Sequence, residues 1–165
     1  PRRVQIEFSQ IVQQHADENG TEISAQEIWN LFQSTYVDVK NRHYQIKHYQ
    51  LSDINGTQII EFDLEIDGEI QRLRGEGNGP ISAMLNALQL PIDVLSYEER
   101  SISSGANAKA LALIELQVKG TGKSVFGAGI HDNIVTSSID AIIACTNRLI
   151  EQGVLTTEQV VAAAV

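Results

Sequence analysis

The sequence predicts an α+β fold: two tandem βββα units related by a pseudo-twofold axis, preceded by a short helical linker subdomain. Three observations carry that expectation. The apolar period changes from helical to alternating near residue 43. A Gly-x-Gly pair running into an apolar helix occurs twice, at Gly75-x-Gly77 and Gly127-x-Gly129. Finally, Ile81–Leu88 aligns with Val135–Ile142 at a constant offset of 54, and the glycine pairs align at 52. A period of that size marks a duplicated supersecondary unit that cannot bury its sheet face alone.

Taken in order, residues 1–40 read as helical. Val4, Ile6, Phe8, Ile11 and Val12 supply an apolar stripe, and Asn19-Gly20 ends it with residue types that tolerate a left-handed stop. Ser24 and Glu27 form a capping-box signature ahead of Ile28, Trp29, Leu31 and Phe32, so a second helix is expected near 25–36. Tyr44, Ile46, His48 and Gln50 then share one face of a first strand, and Ile60, Phe62, Leu64 and Ile66 one face of a second. Asp67-Gly68 is a hairpin turn into a third strand near 69–75. After the punctuation at Gly75–Pro80, the residues Ile81, Met84, Leu85 and Leu88 recur at helical spacing. The second unit repeats the order: strands at Val94–Ile102, Ala110–Val118 and Ser124–Gly129, then a helix burying Ile134, Ile139, Ile142, Ile143 and Ile150. Gly153 stops that helix, and Thr157–Val165 suit a short final one. The domain reading is a helical linker subdomain at 1–40, a duplicated unit at 41–152 with repeats at 43–90 and 93–151, and a tail at 153–165.

Bulk properties narrow the function. At 165 residues the chain holds one domain and an arm. Its net charge of -9 repels a phosphate backbone or an anionic leaflet at long range, which disfavours nucleic acid and membrane partners. No apolar run approaches the roughly 20 residues of a membrane-crossing helix. Cys145 is the only cysteine, so an intrachain disulfide and a cysteine-held zinc are both excluded, and a reducing cytoplasmic setting fits. The start at Pro1 reads as a piece of a longer protein.

The glycine-rich segment Gly75–Pro80 has two readings. It is either a tight strand-to-helix connection with no ligand, or a helix start whose bare N–H groups take a carboxylate or phosphate, with Pro80 suited to the first turn. Its second copy, Gly127–Asn133, raises the weight of the ligand reading, since two helix starts of one kind could face a common cleft. Gly120-Thr121-Gly122-Lys123-Ser124 imitates a P-loop but lacks the leading glycine, because position 117 is Gln117, and a strand follows it; a hairpin turn is expected. Asn19-Gly20-Thr21 and Asn55-Gly56-Thr57 read as turns. His15, His43, His48 and His131 have no metal-ligand spacing. Tyr97 and Glu99 share one face of a strand and Glu98 the other. Val94, Tyr97, Ala106, Ala108, Ile81 and Ile134 are core residues taken singly; together they can line a small apolar pocket. No nucleophile, base and oxyanion set can be assembled.

Several segments then carry a resemblance. Pro1-Arg2-Arg3-Val4-Gln5-Ile6-Glu7-Phe8-Ser9, Gly75-Glu76-Gly77-Asn78-Gly79-Pro80-Ile81-Ser82-Ala83, and Tyr97-x-Glu99 with Ser104-Gly105-Ala106-Asn107-Ala108 are similar to ordered motifs of bacterial α-isopropylmalate synthases, over Pro1 to about Leu149. That resemblance implies the linker and carboxy-terminal leucine-regulatory region, a homodimer, non-catalytic in itself, attached to a catalytic barrel. The barrel, an acyltransferase with a divalent metal, condenses acetyl-CoA with 2-oxoisovalerate; no cofactor is implied for this fragment. Carried over position by position, the effector residues are Asn78, Gly79, Ile81, Ser82, Val94, Tyr97, Ser101, Ala108 and Ile134. The rival expectations are an isoleucine sensor of a citramalate synthase and a dimerisation module without a ligand.

Overall fold

The computed structural model describes residues 1–20, 22–40, 42–103, 105–106 and 108–156. The helix expected at 157–165, and the motif residues Ser104 and Asn107, lie outside the described residues.

Helix α1 spans Arg2–Asn19 and stops at Gly20, whose φ of 63° is the left-handed turn the sequence implied. Val4 is buried, and Phe8 and Ile11 pack into the same cluster. Ile6, expected in that stripe, is 52% exposed instead. Two residues on from Val4 is about 200° round the helix, which turns the side chain to water. Helix α2, Ala25–Phe32, opens on the capping box: Glu27 N donates to Ser24 Oγ at 3.2 Å, and Ser24 N donates to Glu27 Oε2 at 2.7 Å. The helix continues to Val37 as one π-helical turn, Gln33–Val37, closed by Asp38 N donating to Gln33 O. Tyr36 on that turn is fully buried.

Strands β1 (Tyr44–Ile54), β2 (Thr57–Ile66) and β3 (Glu69–Gly77) form one antiparallel sheet in that order. Its two hairpins turn at Asn55-Gly56 and Asp67-Gly68. All four residues have positive φ, the backbone that matches the strand twist in a two-residue turn. The alternation expected along β1 breaks. The β1–β2 register shifts between Ile46 and Tyr49, so the core-facing residues are Tyr44, Ile46, Tyr49 and Leu51, while His48 and Gln50 are exposed. A bulge inserts one residue and reverses the parity beyond it, which a period-two pattern does not anticipate. The outer face is laced with charge, Arg72 reaching Glu61 and Asp63 and Arg74 reaching Glu61 and Glu76.

Helix α3, Pro80–Leu88, packs on β3 and β2. Strands β4 (Ile92–Ser101), β5 (Ala110–Val118) and β6 (Ser124–His131) make the second antiparallel sheet, and α4, Ile134–Glu151, lies on β6 and β5. The fold is therefore a tandem βββα pair behind helices. Ile60, Phe62 and Leu64 of the first sheet share one core with Ile114 and Leu116 of the second, with Met84, Ile139, Ile142 and Leu149 from the helices between. α4 also reaches β1, where Asn147 Oδ1 accepts from Tyr44 N at 2.8 Å and Asn147 Nδ2 donates to Tyr44 O at 2.9 Å. The second sheet is covered on its other face as well: Leu111, Leu113, Phe126 and Ala128 meet Val4, Phe8, Ile11, Phe32 and Tyr36.

The repeated glycines belong to packing. Gly75 and Gly77 lie within β3, and a Cβ on either would come within 2.2 Å of Ala83 O or 2.5 Å of Ser82 Oγ on α3. Gly127 and Gly129 lie within β6, where a Cβ would meet Cys145 at 2.5 Å and Ser137 O at 2.0 Å on α4. In both copies the helix rests directly on bare strand backbone. Gly127 and Gly129 stand in the third strand where the sequence put them, and the strand expected near 69–75 runs on through Gly77, so only Asn78 and Gly79 connect β3 to α3.

Candidate effector site

The site residues gather around β4. A register shift between Val94 and Ser96 puts Leu95 out of the alternation, so Val94, paired with Leu116, and Tyr97, paired with Ile114, share the helix-side face. That face lacks cover. α3 has nine residues and α4 eighteen; α3 rests on its own sheet, and α4 lies over β5 and β6. Val94 therefore stays 36% exposed, and Leu95, Ile102 and Ile134 are exposed too.

Two recesses open at the two ends of β4. The first, about 510 Å³, is lined by Asn78, Gly79, Ile81, Ser82 and Val94, together with Pro80, Leu85, Asn86, Ile92, Asp93 and Lys119. The second, about 320 Å³, is lined by Ser101, Ala108 and Ile134, with Glu99, Arg100, Lys109, Ala110 and Asp132. Tyr97 lies along the strand between them; its hydroxyl donates to the Glu99 carboxylate and sits 2.5 Å from Ser138 Oγ on α4. Val94 and Ser101 are seven positions apart, a span of roughly 20 Å along a strand with one bulge. One protomer thus brings five of the nine expected residues to one recess and three to the other. Lys119, Asp93 and Asp132 were not anticipated. Lys119 arrives through the β5–β6 turn, its N–H donating to Pro91 O at 2.8 Å, a tertiary contact with no signal in the sequence.

The two helix starts are chemically unequal. Asn133 caps α4, its Oδ1 accepting from Val135 N and Thr136 N. α3 has no side-chain cap; it starts from Gly79, with Pro80 in the first turn. Gly79 is extended, and a Cβ there would meet nothing within 4 Å, so packing does not account for that glycine. Uncapped first-turn N–H groups with the positive helix end attract an anion; Lys119 lines the same recess, paired with Asp93 at 3.7 Å. Leu85, Ile81, Ile92 and Val94 give it apolar walls. Among the described residues no group of three or more His, Cys, Asp or Glu side chains could hold a metal ion, and no helix is long and apolar enough to cross a membrane.

Residues 22–150 match the family model of the LeuA allosteric (dimerisation) domain. The chain belongs to that family. Relatives of this LeuA-domain chain include the 2-isopropylmalate synthase of Azoarcus sp., 45% identical over 92% of the chain and 26% of that protein. The enzyme of the same name from Pseudomonas savastanoi is 40% identical over 92% of the chain and 27% of its own length. That of Paraburkholderia phytofirmans is 40% identical over 90% and 26%. The LeuA-domain chain spans about a quarter of the length of the curated relatives it matches.

Proposed function

We propose that this chain is the leucine-sensing regulatory module of a 2-isopropylmalate synthase, and that leucine bound beside β4 feeds back on a catalytic barrel elsewhere in the same polypeptide. The domain division at 1–40, 41–152 and 153–165 belongs to the same proposal, as does a cytoplasmic setting. The observation that carries it is the recess at the start of α3, where an anion-attracting helix end adjoins apolar walls at Ile81, Leu85 and Val94. An aliphatic amino acid needs both, one for its carboxylate and one for its side chain.

Support for a dimeric site comes from the distance between the recesses. A single leucine is too short to touch Val94 and Ser101 of one protomer. A second copy, related by a twofold axis perpendicular to β4 near Tyr97, brings the Ser101, Ala108 and Ile134 end of one chain to the Val94 end of its partner. Tyr97 then lies at the join. Leucine shifts the equilibrium only by its differential affinity for the two arrangements, so inhibition requires that the site be better formed in one of them.

Isothermal calorimetry and melting curves test this. Leucine should give heat and raise the melting temperature of the chain as RT ln(1 + [L]/Kd) requires. Isoleucine and valine should bind about ten-fold or more weakly, since one misplaced methyl or methylene is worth about 1–3 kcal/mol. Stronger binding of isoleucine would assign the module to a citramalate synthase, and no heat with any branched amino acid at millimolar concentration would leave a dimerisation module alone.

A further inference from the structure

We propose that α4 is a lever joining the effector site to the N-terminal helices, and that Arg148 is the positioning residue that makes the joint. The proposal rests on the leucine-sensing reading and names how that site is connected to the rest of the chain.

α4 is about 27 Å long at 1.5 Å per residue. Its first residue, Ile134, lines the second recess, and Ser138 one turn on meets the Tyr97 hydroxyl. At the other end Arg148 is 8% exposed. Its Nη1 donates to Phe126 O on β6 at 2.5 Å and lies 3.7 Å from Glu7 Oε1 on α1. The guanidinium carbon sits 4.7 Å from the centroid of the Tyr36 ring on the π-turn. Tyr36 in turn donates to Glu7 Oε1 at 2.6 Å. One buried cation therefore binds the last turns of α4 to β6, to α1 and to the π-turn together.

The surface beneath α4 adds weight to this end contact. Gly127 and Gly129 present bare backbone to Cys145, Ser137 and Ala141, so β6 offers no side-chain knob there to interlock with the helix. Core packing of Ile139, Ile142 and Leu149 and the bonds of Asn147 to Tyr44 seat the helix, and the contacts of Ser138 and Arg148 tie its two ends to their neighbours. A buried charge tolerates displacement poorly, because moving it strips the partners that offset its desolvation. A shift of α4 at Ile134 and Ser138 must carry Arg148 with it, and with Arg148 the Tyr36 and Glu7 it holds. The chain supplies its own reporter: Trp29, the only tryptophan, stacks on Phe32 with centroids 5.8 Å apart, and Phe32 lies 5.2 Å from Tyr36.

Calorimetry and Trp29 fluorescence, run together on the chain with leucine, test the proposal. In the wild type, emission should change along the binding isotherm. Arg148→Met, Tyr36→Phe and Glu7→Gln should keep leucine affinity within about ten-fold, the scale of ordinary coupling energies, while losing most of the emission change. Tyr36→Phe and Glu7→Gln keep the apolar packing and carry the test if Arg148→Met does not fold. Heat with a silent Trp29 in the wild type overturns the lever, as does an undiminished emission change in the folded variants. Absence of heat in the wild type overturns the sensing reading, and the lever with it.

Discussion

Replacing Gly129 by alanine separates a glycine kept for packing from one that packing leaves unexplained. The new Cβ would lie 2.0 Å from Ser137 O and 2.7 Å from Ala141 N, both backbone atoms of α4, whereas real Cβ atoms essentially never come within 3.0 Å. Backbone cannot rotate away, so α4 must retreat by about an ångström from β6, and a gap of 0.5–1 Å forfeits a quarter to a half of each dispersion contact it opens. Overpacking of this kind costs about 1–3 kcal/mol and occasionally more. Removing a glycine from a strand returns about 0.5–1 kcal/mol of that through the unfolded chain. A net loss of about 2 kcal/mol corresponds to a fall in melting temperature of about 4–8 °C for a chain of this size. Gly79→Ala meets nothing within 4 Å and should leave stability within about 0.5 kcal/mol. Urea unfolding followed by circular dichroism, with scanning calorimetry, measures both. A Gly129→Ala protein as stable as the wild type, or a Gly79→Ala protein as weak as Gly129→Ala, would refute the reasoning.

Asn147→Ala strands the N–H and C=O of Tyr44, both bonded by that side chain; at about 1–3 kcal/mol per unsatisfied buried group, urea melts should show a loss of about 2–5 kcal/mol. Burial pushes the Cys145 thiol up to about 12, so Ellman's reagent at pH 8 should react only as fast as the chain opens, and a rapid burst in native protein would contradict the packing. Asp140 is raised by burial, with His131 partly opposing. Its native form therefore holds a proton that the unfolded chain has lost, and stability falls as pH rises from the unfolded value of about 4 through the folded one. Asp140→Asn should accordingly stabilise at pH 7, with the advantage shrinking as pH drops toward 4 in parallel urea titrations.

The parts legible in sequence were those that one local rule determines. Duplication showed in the glycine pairs because each copy must let a helix touch strand backbone, and only glycine leaves that room. The capping box at Ser24 and the Asp67-Gly68 turn are local chemistry and stand where expected. The bulges in β1 and β4 were not legible, since an extra residue leaves no trace in composition. Nor was the separation of the expected effector residues into two recesses, which depends on the roughly 20 Å of strand from Val94 to Ser101 and on α3 being short. Pro91, just past Gln89 with its φ of 53°, is the one local sign that α3 ends early. Arg148 was not singled out by any sequence signal; the arrival of α1 and the π-turn buries it.

β5 has a further consequence. Its Leu111 and Leu113 belong to the interior under the N-terminal helices, and Ala112, Ile114 and Leu116 to the one shared by the two sheets. Neither interior can be wetted without disturbing the same run of amides. Native-state hydrogen exchange should therefore find those amides the slowest in the chain, and the two interiors should open together as one cooperative unit.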